Sequence, residues 1–151
     1  MINRIKVEGF RSLVDTNVDL APMNVLIGPN GSGKSNLLDV LELMKLASFG
    51  LLNEGIQGKG GIGQIRSAVS ETATVKIALS IPTMRGKWWH YAVALEQMGL
   101  QATVAQEQLF SVSGERGLFD EPYNENCLLA RNHEMAVFFN ARDGQFDAPV
   151  L

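Results

Sequence analysis

Hydrophobic and polar residues alternate through residues 4–10, with Ile5 and Val7 on one side and Arg4, Lys6 and Glu8 on the other. A period of two predicts a half-buried strand. Residues 14–20 alternate again, with Val14, Val18 and Leu20 together, so the two segments are expected to pair antiparallel around residues 9–12. After Pro22, residues 23–27 (MNVLI) form a nearly continuous apolar run, the pattern of a central strand buried on both faces. Leu37, Leu38, Leu41, Met44 and Leu46 then recur at helical spacing, with Asn36, Asp39, Glu42 and Lys45 on the polar side and Gly50 as the stop. Residues 50–63 hold six glycines and read as a surface loop, or as a loop that closes near a ligand. From residue 72 the period returns to two. Ala73, Val75, Ile77, Leu79 and Ile81 face inward, and strands follow over residues 88–95 and 100–112. These form an antiparallel meander, and a last hairpin is expected around Asp143 and Gly144.

Length and charge narrow the classes. The chain has 151 residues, 46% hydrophobic and 19% charged, a composition that buries a core rather than staying disordered. No apolar run reaches the ~20 residues of a membrane span, and the first ten residues lack the apolar stretch of a signal peptide. Cys127 is the single cysteine, which excludes an internal disulfide framework or a cysteine-based zinc site and fits a reducing, cytoplasmic setting. The net charge is −3, with the acidic excess in the last third; this is no dedicated nucleic-acid-coating domain.

The chemistry is concentrated in residues 28–35. Gly28-Pro29-Asn30-Gly31-Ser32-Gly33-Lys34-Ser35 fits G-x-x-x-x-G-K-[ST], and it stands where that pattern carries meaning, between an apolar run and an amphipathic helix. A triphosphate needs convergent N–H donors and a positive field. Gly31 and Gly33 permit the torsions that turn successive amides inward. The helix start adds its amides and dipole, Lys34 an ammonium for the β- and γ-phosphates, and Ser35 a hydroxyl for Mg²⁺. ATP and Mg²⁺ are therefore the expected ligands.

The segment GFRSLVDTNVDLAPMNVLIGPNGSGKSNLLDVLELM resembles the opening of RecF/SMC-like, ABC-class ATPases, and within them the group related to the OLD and AAA-type "21" families. The strong resemblance covers about the first 48 residues; the later β-rich part, including residues 104–109, is similar to that group less specifically. The resemblance implies that Arg11 reaches toward nucleotide phosphate and that Asn30 lies near the β- and γ-phosphates. Asn36 follows the helix start as a first-turn polar residue near the same site. It also implies ATP hydrolysis in a dimer of heads or with a C-terminal half-head, and work on DNA in repair, maintenance or phage defence.

Other parts of that machinery are not found. Hydrolysis in this class needs a carboxylate pair after a buried strand. Residues 92–96 (AVALE) and 135–140 (MAVFFN) imitate it, but the first lies in an alternating meander and the second ends in Asn140. Ser113, Gly114 and Glu115 resemble part of a signature segment without the helix that should follow. Trp88, Trp89 and Tyr91, near Arg85 and Lys87, have the make-up of a base-stacking tip but more often pack across strands. The catalytic residues are thus unassigned.

The expected architecture is α/β: a P-loop NTPase lobe of ABC/RecF type with an antiparallel β-meander, forming an incomplete ATPase head. Residues 1–50 make the strand–loop–helix core, 51–71 a glycine-rich connector and 72–151 the β-rich part of the same head. The expected function is Mg-dependent ATP binding within an ATPase. The alternatives are a non-hydrolysing nucleotide-binding or interaction module, or another P-loop phosphotransferase.

Overall fold

Strand β1 (Arg4–Phe10) runs through the middle of the structure's best-packed region, antiparallel to β2 (Leu13–Asp19) on one side and to a strand from much later in the chain on the other. The computed structural model describes residues 1–70, 73–82, 87–99, 101–113, 127–132 and 136–138. In chain order, helices α1 (Lys34–Ser48), α2 (Leu52–Gly58) and α3 (Ile62–Ile65) follow β2. Strands β3 (Val75–Pro82), β4 (Lys87–Met98), β5 (Gln101–Ser113), β6 (Cys127–Asn132) and β7 (Ala136–Phe138) come next. All the strands join one antiparallel sheet in the order β2-β1-β3-β4-β5-β6-β7. The molecule is a sheet-rich α/β structure.

The register follows from the alternation. Ile5 opposes Leu79, Val7 opposes Ile77, Ile77 opposes Val93 and Val75 opposes Leu95, so one face of β1, β3 and β4 is a continuous apolar surface. Helix α1 covers it with Leu37, Val40, Leu43 and Met44, and Phe10, Leu13, Ile56, Ile62 and Ile65 complete the core. The opposite face holds the small pair Ala78 and Ala92, and a buried bond of 2.8 Å between Ser80 Oγ and His90 Nδ1.

Several expectations need correction. Residues 23–27 form no strand. Met23, Val25 and Ile27 are 84%, 74% and 90% exposed, and among the described residues the segment's own N–H and C=O groups make no hydrogen bond; the Asn24 side chain alone bonds, accepting from Ala21 N–H at 2.9 Å and donating to Ala21 O at 2.7 Å. A strand buried on both faces needs a neighbour on each edge, and the described sheet closes without passing through this segment. Residues 50–63 are not one open loop: α2 and α3 bury Ile56, Ile62 and Ile65. Apolar residues spaced among the glycines drive this, and Gly55 permits it. A Cβ there would stand 2.7 Å from Leu46 Cδ1 and 3.0 Å from Leu43 Cδ2. On α1 the buried stripe is turned from the expected one, with Val40 and Leu43 inside and Leu38 58% exposed. Val14, the second residue of β2, is exposed, and so is Ala73, which lies two residues before β3. Strand β6 was not foreseen, and the hairpin around Asp143 and Gly144 lies outside the described residues.

Candidate phosphate-binding site

The loop of residues 28–35 is shaped by its glycines. Gly31 and Gly33 have φ of 82° and 93°, in the left-handed region that side chains resist. Gly33 also caps α1, where Leu37 N–H donates to its carbonyl at 2.9 Å. A Cβ at Gly33 would meet Ser12 Oγ at 3.0 Å and Leu13 Cδ2 at 3.2 Å, so the helix start lies tight against the β1–β2 turn. No side chain caps α1 and its first turn holds no acidic residue. Among the described residues the amides of Lys34, Ser35 and Asn36 have no backbone acceptor, so a concentration of partial positive charge stays available.

A cavity of about 310 Å³ opens there, lined by residues 30–36. The Lys34 ammonium is folded back over the loop, donating to Gly28 O at 2.8 Å, Pro29 O at 2.6 Å and Ser32 Oγ at 3.2 Å. These bonds span the loop and hold the ammonium at its mouth. Ser35 is exposed on the cavity wall and makes no side-chain hydrogen bond among the described residues. Asn30, Gly31, Ser32, Gly33, Lys34, Ser35 and Asn36 therefore share one concave surface; Gly28 is outside this lining and its carbonyl accepts from Lys34.

Arg11 stands beside that surface rather than in it. It occupies the β1–β2 turn with φ of 46°, the single non-glycine in the left-handed region among the described residues. The connector holds the turn in place: Arg11 N–H donates to Ile65 O at 2.8 Å, Arg11 Nε to Gln64 O at 3.3 Å, and Ser67 N–H to Gly9 O at 2.7 Å. Arg11 Nη1 donates to Asp39 Oδ2 and, at 3.4 Å, to Asn36 Oδ1. Asn36 Nδ2 in turn donates to Ser12 Oγ at 2.8 Å. Lys59, carried by the connector and with its side chain only 13% exposed, bonds Asp39 Oδ1 at 2.7 Å and Glu42 Oε2 at 2.6 Å. Burial works to raise the Asp39 carboxyl, but the Lys59 ammonium and then the Arg11 guanidinium outweigh it and hold it below its ordinary value. The same two carboxylates push Lys59 above its own.

This four-charge cluster changes the reading of the helix. Asp39 and Glu42 look in the sequence like a solvated polar face, yet Asp39 ties α1 both to the β1–β2 turn and to the connector. Lys59 gives no signal in the sequence, since it lies 20 residues from Asp39 and meets it only because α2 folds back on α1.

The imitations of catalytic segments are elsewhere. Residues 92–96 lie within β4, between β3 and β5, and Glu96 accepts a bond from Thr74 Oγ1 at 3.1 Å. Residues 114, 115, 135, 139 and 140 lie outside the described residues. Tyr91 OH donates to Glu107 Oε1 at 2.8 Å and Trp88 stacks on His90, so both aromatic rings have neighbours across or along the sheet, while Trp89 is 39% exposed. Among the described residues no cluster of three metal-ligating side chains occurs, and no helix is long and apolar enough to cross a membrane.

Known proteins resemble this chain over its N-terminal part. Residues 1–91, more than half of the chain, match the family model described as an AAA ATPase domain. Over 44 residues (29% of this chain, 8% of the relative) the sequence is 39% identical to an OLD nuclease of Thermus scotoductus. Over 97 residues (60% and 8%) it is 30% identical to the chromosome partition protein Smc of Thauera aminoaromatica. Over 44 residues (28% and 5%) it is 43% identical to the DNA double-strand break repair Rad50 ATPase of Methanopyrus kandleri. The chain thus spans only a small fraction of the length of these relatives. With more than half of its length matched, the chain belongs to the AAA ATPase domain family, among the RecF/SMC-like, ABC-class ATPases that its opening motif resembles.

Proposed function

We propose that residues 28–35 bind the phosphates of Mg·ATP and that the chain is the P-loop lobe of a cytoplasmic ATPase head acting in DNA repair, DNA maintenance or phage defence. The observation that carries this reading is the combination of Gly31 and Gly33 in left-handed torsions, open amides at the start of α1 and the Lys34 ammonium over one concave surface. Phosphate oxygens replace the loop's own carbonyls and Ser32 Oγ as acceptors for Lys34, while the amides of residues 34–36 bond the oxygens of the anion. Ser35 suits Mg²⁺, a hard cation that keeps several waters and takes few protein oxygens. A Mg²⁺ ion held there would supply neutralisation of the phosphate charge.

In this reading the lobe, residues 1–50, is joined by the connector, 51–71, to the β-rich part, 72–151, of one head. Residues 23–27 serve as the edge on which a C-terminal half-head adds strands. Their exposed apolar side chains and unbonded backbone support this, because both are costly to leave open and both are satisfied by strand addition. The complete head then works as a dimer, as the RecF/SMC-like resemblance implies.

The cavity lining contains no carboxylate, which favours binding without turnover by the chain alone. Lys34→Ala is expected to weaken a fluorescent ATP analogue by about 1.5–3 kcal/mol, roughly ten- to hundredfold, the worth of a hydrogen bond to a charged group. Unchanged affinity overturns the assignment. In a phosphate-release assay the 151-residue chain is expected to run close to background, because the cavity lining holds no carboxylate to orient water and such a group is worth orders of magnitude in rate. Robust turnover that depends on Lys34 identifies a carboxylate of this chain as catalytic, with Glu96 and Glu115 the first to replace.

A further inference from the structure

Asp39 is placed oddly for a polar-face residue. Each of its carboxylate oxygens is taken by a different cation, Oδ2 by Arg11 and Oδ1 by Lys59, and Lys59 holds Glu42 as well. Two cations and two carboxylates thus balance beside the loop. Arg11 is the member positioned to leave. Its Nη1 already reaches Asn36, one helical turn before Asp39, and Asn36 lines the cavity. A shift of the guanidinium by about one turn along α1, ~5 Å, carries it from Asp39 to the cavity rim. Lys59 has no such path, being mostly buried between Asp39 and Glu42.

Resting on the reading of residues 28–35 as a nucleotide site, we propose that Asp39 is the resting partner of Arg11. Phosphate binding draws the guanidinium from Asp39 to the anion, and Lys59 stays behind as the counter-charge that keeps Asp39 compensated. Asp39 is then a positioning residue that acts through Arg11, opposing nucleotide until phosphate outcompetes it. An arginine fork bonds phosphate in two parallel bonds, against the single Nη1 bond given to Asp39, so the exchange runs toward nucleotide. The left-handed turn at Arg11, bonded through its own N–H to Ile65 O, keeps the backbone fixed while the side chain swings. Because the ion pair and the nucleotide compete for one side chain, each weakens the other by the same factor.

A double-mutant cycle on the full chain tests this, with the Kd of a fluorescent Mg·ATP analogue as readout. Asp39→Asn keeps size and hydrogen bonding but removes the charge that holds Arg11. It is expected to bind the analogue roughly three- to fivefold more tightly, the scale of a part-exposed ion pair. A merely structural role predicts a loss, not a gain. In an Arg11→Ala background the gain is expected to vanish, since there is no guanidinium left to release. An equal gain in both backgrounds overturns the exchange, because it shows only the loss of a nearby negative charge. An unchanged or weakened Kd in Asp39→Asn overturns it too. Asp39→Ser is measured alongside, so that a folding defect in one variant does not decide the result. Lys34→Ala separates the two levels: if it binds as tightly as wild type, the nucleotide site itself is wrong, whereas a weakened Lys34→Ala with an unchanged Asp39→Asn removes the exchange alone.

Discussion

Two apolar segments of similar composition have opposite fates. Residues 75–79 (VKIAL) place Val75 and Ile77 at zero exposure, bonded on both edges by β1 and β4. Residues 23–27 (MNVLI) are as apolar, yet Ile27 is 90% exposed and the backbone has no partner among the described residues. The difference is not hydrophobicity. A strand is stable only when its N–H and C=O groups are paired and its side chains meet a second layer. Residues 75–79 receive both from within the described chain, and residues 23–27 receive neither. Apolar pattern therefore reports what a segment is suited for, while burial depends on who supplies the neighbours.

The largest effect that can break this comparison is a pair of truncations. Ile77→Ala removes a fully buried side chain from the core and is expected to cost about 2–5 kcal/mol in urea unfolding. Ile27→Ala is expected to stay within about 0.5 kcal/mol of wild type, because it removes surface already in water. A comparable loss at both sites shows that residues 23–27 are buried in solution. Addition of a complementing half-head is the sharper version: it is expected to make Ile27→Ala costly and leave Ile77→Ala as it was.

A second, smaller contrast concerns glycines in the two regions. Gly9, in the packed β1–β2 unit, has φ of 73°, and a Cβ there would stand 2.7 Å from the carbonyl oxygen of Thr74. Gly9→Ala therefore meets torsional strain and a backbone clash, and is expected to lower stability by about 1–3 kcal/mol. Gly31, in the open loop, has φ of 82° with nothing within 4 Å of the same position. Gly31→Ala carries the torsional cost alone, about 1 kcal/mol, so it is expected to lower the unfolding midpoint less than Gly9→Ala and to weaken ATP binding as well. Equal destabilisation by the two variants erases the distinction between packed turn and open loop.

What was legible in the sequence divides along the same line. The alternation of Ile5 and Val7, and of Val75, Ile77 and Leu79, located two strands of the core, β1 and β3, because a period of two has one physical solution once one face is buried. The shape of the loop of residues 28–35 was legible in Gly31 and Gly33, whose φ of 82° and 93° are the torsions that glycine permits. The connector was not. Its glycines masked Leu52, Ile56, Ile62 and Ile65, whose spacing is apparent only after α2 folds onto α1. Nor was the Asp39–Lys59 pair, which depends on that fold-back and not on local pattern. The central strand expected at residues 23–27 does not form, because its apolar pattern carries no information on neighbours and the described residues provide none.

The smallest effect concerns acid, and it distinguishes the cluster beside the loop from the one on the sheet. Asp39 is held below its ordinary value by Lys59 and Arg11 against the opposing effect of burial. Glu8 on β1 is held down in the same way by Lys6 at 2.7 Å and Lys76 at 3.5 Å, again against burial. A carboxyl lowered in the folded state stabilises the fold above its unfolded value, near 3.9 for Asp and 4.3 for Glu. That contribution is lost as pH falls through the folded value. Stability is thus expected to decline below about pH 5 from both clusters together. Each contribution is about 0.5–1 kcal/mol at neutral pH, since the side chains are partly exposed. Asp39→Asn removes the first share of the acid slope and Glu8→Gln the second. Lys59 is raised instead, so its contribution is complete at neutral pH and is lost only as pH rises past the ordinary lysine range. Urea unfolding across this acid range, on wild type and both variants, checks the assignment. If Asp39→Asn retains the full acid slope while Glu8→Gln loses it, the charges beside the loop do not hold α1 to the connector, and the packed sheet alone carries the electrostatic stability of the fold.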